Sequence, residues 1–138
     1  MSQSTDSLLL DGKLSELSRL VAETSRFCAA HALSDEVDFD LNLVLEELFT
    51  NAVRHGGCEG TSDAVRVQLD LQPGGVSIAV ADRGAPFDPT AAPAPNLETP
   101  LESRPVGGLG IHLVRQIVRD LRYERVDGWN RLTMLRPI

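Results

Sequence analysis

The stretch Val65-Arg66-Val67-Gln68-Leu69-Asp70-Leu71-Gln72-Pro73-Gly74-Gly75-Val76-Ser77-Ile78-Ala79-Val80 decides the fold. Val65, Val67, Leu69 and Leu71 alternate with polar residues, and beyond Pro73-Gly74-Gly75 the residues Val76, Ile78 and Val80 alternate with small ones. A period of two puts every second side chain on one face of a strand. Two such runs joined by so short a turn form a β-hairpin with one face on a core.

Outward from the hairpin the period changes. On its N-terminal side, Leu41, Val44, Leu45, Leu48 and Ala52 recur at helical spacing behind the helix-start signal Ser34-Asp35-Glu36. That helix is expected to end near His55, ahead of Gly56-Gly57. Leu14, Leu17, Val21, Thr24 and Cys28 suggest an earlier amphipathic helix over Lys13 to His31, preceded by a short strand at Ser7 to Leu10. On the C-terminal side, the Pro- and Ala-rich segment Pro86 to Pro105 has no period, and a loop that long is usually a functional lid or a disordered segment. A third helix is expected over Ile111 to Arg119 and two last strands over Leu121 to Val126 and Arg131 to Leu135, joined at Asp127-Gly128. The order β-α-α-β-β-lid-α-β-β, with strands segregated from helices, is that of an α+β two-layer sandwich.

The chain has 138 residues, so residues 1–138 make one domain. A chain of this size buries roughly 70% of its unfolded surface and needs no staples. Aromatic residues are only 4%, so aliphatic residues must build the core. The net charge of −7 opposes non-specific binding to nucleic acid or an anionic membrane, and neither is expected as a direct partner. No apolar run approaches the roughly 20 residues of a membrane span, and the start lacks a signal peptide's pattern. Cys28 and Cys58 lack metal-ligand spacing, Cys28 reads as core packing, and a cytoplasmic chain with reduced thiols is expected.

Three separated elements carry the candidate chemistry. In Glu47-Leu48-Phe49-Thr50-Asn51-Ala52-Val53-Arg54-His55, Glu47 and Asn51 stand on one helix face, offset from the apolar stripe. A carboxylate and an amide oxygen one turn apart suit a hard cation such as Mg²⁺, although the same pair fits a solvated face. In Val80-Ala81-Asp82-Arg83-Gly84-Ala85-Pro86-Phe87-Asp88-Pro89, Asp82 ends a buried strand, where a carboxylate needs a partner. It can accept from an adenine amino group, and Gly84 lets backbone approach a flat ring, although Asp and Gly also favour an ordinary turn. Gly107-Gly108-Leu109-Gly110 opens a helix, where backbone N–H groups favour anions. It is not a Walker loop, since no Lys-Ser/Thr follows, and it also reads as a glycine-rich stop.

In combination the three elements resemble the GHKL ATPase superfamily of gyrase, the MutL repair proteins and histidine kinases. Within it the chain is most similar to anti-sigma-factor serine-protein kinases of the RsbW type. Glu47 to His55 looks like the N box, Asp82 to Pro89 like the G1 box, and Gly107 to Arg115 like the G2 box. The likeness runs from about Ser7 to Pro137, in the family's order and spacing.

The resemblance implies a Bergerat-type ATP site: a mixed, mostly antiparallel sheet with helices on one face, and a mobile lid over about residues 86–106. It implies ATP and Mg²⁺ as cofactors. Glu47 matches the catalytic base, Asn51 would hold Mg²⁺, Asp82 the adenine, and Gly84 the turn beside it. Phe87, Gly107, Gly108, Leu109 and Gly110 fall at nucleotide-binding positions, with the backbone of Gly108 and Gly110 meeting phosphates. Thr133 is expected at the adenine-side water, and Arg104 either at the γ-phosphate or in solvent. His55 lies inside the N box and is not a phospho-acceptor, since it is not on a separate dimerisation helix. The implied activity is transfer of the ATP γ-phosphoryl group to a serine or threonine of a STAS-domain anti-sigma antagonist. The second implied partner is a sigma factor, sequestered when antagonist is absent, and a homodimer is a third assembly. The alternative is a non-catalytic ATP-dependent binding module of the same fold.

Overall fold

A computed structural model describes residues 5–91 and 108–138. Five strands form one sheet: β1 (Thr5–Leu10), β2 (Val65–Gln72), β3 (Gly75–Asp82), β4 (Arg119–Val126) and β5 (Trp129–Pro137), in spatial order β1-β2-β3-β5-β4. The described pairings are all antiparallel, so the expected mixed sheet resolves as an antiparallel one. The helices are α1 (Leu17–Ala30), entered through a 3-10 turn at Leu14–Glu16, α2 (Asp35–Arg54) and α3 (Gly108–Ile117). Helix α2 lies between α1 and α3.

The hairpin closes through Pro73-Gly74, with Gln72 opposite Gly75 and Gly74 at φ 92. Proline presets the first turn position and glycine accepts the positive φ of the second. Val65, Val67 and Leu69 of β2, Val76, Ile78 and Val80 of β3, and Leu132 and Met134 of β5 are buried on the helix side. Burying each aliphatic side chain of this kind contributes about 1.5–3 kcal/mol.

Helix α2 supplies the centre of the core through Leu41, Val44, Leu45, Leu48, Phe49, Ala52 and Val53. Its start is capped as expected: the Ser34 side chain accepts from the Val37 backbone N–H at 3.2 Å, and Asp35, Glu36 and Asp38 face the positive end of the helix dipole. Its end falls at Arg54, where the backbone N–H groups of His55 and Gly56 close onto the Asn51 carbonyl. Helix α1 buries Leu20, Thr24, Phe27 and Cys28, whereas Val21 stays 39% exposed. The buried stripe is therefore rotated from the expected one, because the first turn is 3-10 and Phe27 outweighs Val21 in apolar area.

Strand β5 is longer at both ends than expected, starting at Trp129 rather than Arg131. Helix α3 begins at Gly108 rather than Ile111, inside the glycine-rich stretch. Most of the expected lid, with Arg104 and Gly107, lies outside the described residues. Among the described residues, no helix is long and apolar enough to cross a membrane.

Candidate functional site

Helix α2 holds both ends of the site. Glu47 is half-buried on its side facing α3, while Glu46 beside it is exposed. A Cβ added to Gly110 would stand 2.0 Å from Glu47 Oε2 and 2.3 Å from its Cδ. The glycine is therefore what lets the carboxylate lie against the first turn of α3. Asn51 is half-buried one turn further along α2.

The turn that follows the C-terminal end of α2 meets the loop after β3. Gly56 carbonyl accepts from the Ala85 backbone N–H at 3.1 Å, and a Cβ on Gly84 would lie 2.1 Å from that same carbonyl oxygen. Glu47 stands seven residues before Arg54, roughly 10 Å of helix rise, and Gly56 lies two residues beyond the helix end. Two of the three sequence elements are thus clamped to the ends of one segment of the third.

Asp82 ends β3 on the helix side of the sheet, in line with Val80. Its Oδ1 accepts from the Gly84 backbone N–H at 2.8 Å, from Asn130 Nδ2 at 3.0 Å and from Cys58 Sγ at 3.9 Å. Burial pushes the Cys58 thiol up to about 11, and the nearby Asp82 carboxylate adds to the shift. A thiol held protonated in this way can remain a donor to Asp82.

Asn130 was not expected. It is 5% exposed and sits directly opposite Asp82 in the β3–β5 register. Its Nδ2 also donates to Ala85 carbonyl at 2.8 Å, and its Oδ1 accepts from Tyr123 hydroxyl at 2.6 Å and the Phe87 backbone N–H at 3.3 Å. Arg125 of β4 adds a bond to Gly84 carbonyl at 2.8 Å. The strand's alternation puts Asn130 on the same face as Leu132 and Met134, but only the register with β3 makes that the buried face, where a polar side chain must find partners. Reading the strand from Arg131 left it in the turn.

Thr133 does not share that face. It pairs with Ala79 and Arg122 and alternates with buried Leu132 and Met134, so its side chain points away from the helices and from Asp82. Strand alternation thus puts it on the opposite face of the sheet from Asp82, against the expectation that the two share a site. A cleft of about 240 Å³ lies on that outer face, lined by Arg66, Gln68, Ala79, Trp129 and Arg131 among others, with the sheet between it and Asp82.

Phe87 reaches the site through its backbone, while its side chain is 61% exposed. Gly108 and Leu109 form the first turn of α3, next to Gly110. Arg115 of α3 donates to the carbonyls of Pro89 and Thr90, tying the helix to the loop beyond the Asp82 turn. The structure therefore gathers Glu47, Asn51, Gly108, Leu109 and Gly110 at one end and Asp82, Gly84 and the Phe87 backbone at the other.

The donors fit Mg²⁺ in one specific way. Among the described residues no group of three or more His, Cys, Asp or Glu could hold a metal. A cation near Glu47 and Asn51 would have to draw its remaining ligands from phosphate and water, which is the usual habit of Mg²⁺.

Known proteins resemble this chain in sequence and in fold. Residues 10–136 match the family described as "Histidine kinase-like ATPase domain". The chain is 33% identical over 134 residues to the serine/threonine-protein kinase BtrW of Bordetella bronchiseptica, covering 97% of this chain and 94% of that protein. It is 29% identical over 95 residues to the serine-protein kinase RsbW of Oceanobacillus iheyensis, covering 64% of this chain and 59% of that one. A solved structure of the RsbU and RsbW domains of a Mycobacterium tuberculosis protein superposes with a TM-score of 0.71 at 19% identity, over 96% of this chain and 32% of the larger one. With the family match spanning nearly the whole chain and the fold agreeing, the chain belongs to the histidine kinase-like ATPase domain family.

Proposed function

We propose that this chain is a serine/threonine-protein kinase of the anti-sigma-factor type. The observation that carries the reading is the Glu47 carboxylate lying against Gly110 in the first turn of α3. A helix N-terminus attracts phosphate, and a carboxylate beside it serves no purpose in pure anion binding. It does serve a reaction in which a hydroxyl must lose a proton beside that phosphate.

In this reading Asp82 and the Gly84 turn take the adenine, and the backbone of Gly108 and Gly110 takes the phosphates. Asn51 would hold Mg²⁺, which when bound offsets charge on the phosphates. Glu47 accepts the proton of a partner's serine or threonine hydroxyl. The hydroxyl oxygen forms its bond to the γ-phosphorus as the bond from that phosphorus to the β–γ bridging oxygen breaks, and ADP leaves with the electron pair. Such transfer rests on positioning and electrostatics. The substrate is a STAS-domain antagonist and the second partner a sigma factor, in the cytoplasm. Support comes from the kinase names of the two relatives and from the N, G1 and G2 strings.

The experiment is transfer of labelled phosphate from ATP to a STAS-domain protein captured with this chain from its source cell. Glu47→Ala should lower the rate by about 10²–10⁴, the usual contribution of a positioned base, while ATP still binds. Glu46→Ala should change little, since Glu46 is exposed and about 100° away around the helix. Wild-type transfer undiminished in Glu47→Ala would remove the base. No transfer by wild type to any such partner would leave an ATP-dependent binding module.

A further inference from the structure

The chain carries a net charge of −7, yet the face of the sheet turned away from the helices gathers arginines. Alternation and register place Arg66 of β2 and Arg131 of β5 on either side of Ala81 of β3. Trp129 of β5 and Arg66 meet across β3, with Arg66 Cζ 5.0 Å from the centre of the indole ring. Ala81 between them is small enough to leave room for that contact. Arg83, just beyond β3, stands over the same ring at 4.3 Å.

These arginines differ in what neutralises them. Arg131 is paired with Glu124 at 3.2 Å. Arg66 and Arg83 are exposed and make no ion pair among the described residues. Arg83 Nε donates to the Asp63 backbone carbonyl at 3.0 Å, and Arg66 has only the ring. A guanidinium over an aromatic face is held by the ring, while its N–H groups lie in its own plane and point outward. Stacking therefore orders two cations before any ligand arrives, which lowers the side-chain entropy lost on binding, and it leaves their donors unused.

We propose that this outer face is a docking site for an extended acidic segment of a partner protein, with Arg66 and Arg83 holding its carboxylates. Charge complementarity names the sign, because a guanidinium pairs with carboxylate or phosphate through two parallel hydrogen bonds. The cleft of about 240 Å³ beside the ring is lined by Ala79, Ala81 and Val126, so its occupant carries apolar groups as well as charge. Gln68 and Asp127 also line it and accept hydrogen bonds, which a peptide backbone N–H supplies and a phosphate does not. Alternate residues of an extended peptide stand roughly 7 Å apart on one side, a separation that two guanidiniums around a single ring can meet. A nucleic-acid strand would run on over the acidic remainder of the surface and be repelled. This face lies across the sheet from Asp82, so its occupancy does not depend on the nucleotide reading.

The test titrates two synthetic peptides into the full chain, one of alternating glutamate and leucine and one of alternating lysine and leucine, with inorganic phosphate as a third probe. Trp129 is the one tryptophan of the chain, so its fluorescence reports on this cleft directly. The acidic peptide should change that signal and bind more weakly as salt is raised, while the basic peptide should not bind. Arg66→Gln and Arg83→Gln should each weaken the acidic peptide by about tenfold or more, the order of one charge-assisted hydrogen bond. Arg66 is exposed and makes no hydrogen bond among the described residues, so Arg66→Gln should unfold close to the wild-type temperature. The proposal fails if the acidic peptide leaves Trp129 unchanged, if both variants bind it as tightly as wild type, or if phosphate matches it in affinity. It also fails if sedimentation shows a wild-type dimer that Arg66→Gln separates and the peptide does not, because the face then belongs to a second copy of this chain.

Discussion

Gly110 and Glu47 are in contact such that a single methyl group cannot be placed between them: a Cβ on the glycine would stand 2.0 Å from Glu47 Oε2. The atom in the way is the end of a flexible side chain rather than backbone. Gly110→Ala should therefore move the carboxylate and leave the fold intact. Alanine in the first turn of α3 replaces a poor helix former by the best one, a gain of up to about 1 kcal/mol. The expected result is an unchanged or raised Tm with phosphoryl transfer down by about 10²-fold, the effect of a misplacement near 1 Å. Scanning calorimetry and the labelled-phosphate assay check it, and full activity would show that Glu47 tolerates displacement.

Gly84→Ala should behave in the opposite way. Its Cβ would meet the Gly56 carbonyl oxygen at 2.1 Å, and that atom is backbone at the end of α2. Neither segment can give way cheaply, because Ala85 N–H and Asn130 hold the same loop. A loss of about 1–3 kcal/mol in urea unfolding is expected, as for an overpacked site, together with weaker ATP binding. A variant of wild-type stability would mean that the loop is looser than this contact implies.

Arg136 joins the last strand to α2. Its Nε and Nη2 both reach Asp40 Oδ2, at 2.9 and 2.7 Å, and the two side chains are 14% and 20% exposed. Asp40→Ala should cost about 1–3 kcal/mol, since it strands a largely buried guanidinium. Glu36, 83% exposed and 3.9 Å away, is a rim partner, and Glu36→Ala should cost under about 0.5 kcal/mol. Denaturant midpoints for the two variants separate these roles.

The two buried cysteines make stability fall in alkaline solution. Burial pushes both thiols from 9.0 to about 11, with Asp38 adding to Cys28 and Asp82 to Cys58. Between those values the unfolded chain has released protons that the folded chain still holds, so each rise in pH favours unfolding. The contribution is fully present below pH 9.0 and is lost as pH approaches about 11. Urea midpoints of wild type should drop faster across this window than those of a Cys28→Ala, Cys58→Ala double variant. Parallel curves would mean that neither thiol titrates differently on folding.

Much of the architecture was legible before any coordinates. The alternation in Val65 to Leu71 and Val76 to Val80 predicts the hairpin, and Ser34 with the stripe from Leu41 to Ala52 predicts α2 and its cap. Glu47 and Asn51 share a helix face by spacing alone. Arg104 and Gly107 lie outside the described residues.

Local periodicity stops where two segments distant in sequence must choose their alignment. In Trp129 to Leu135 both alternating sets contain apolar residues, so the strand's own sequence does not say which set faces the helices. The register with β3 decides it: Asp82 lies opposite Asn130, which puts Leu132 and Met134 in the core and turns Thr133 outward. A shift of one residue would exchange the two faces entirely. The contact of Gly110 with Glu47 is of the same kind. It arises because α3 packs beside α2 at a height set by the whole core, a constraint that no window of ten residues contains.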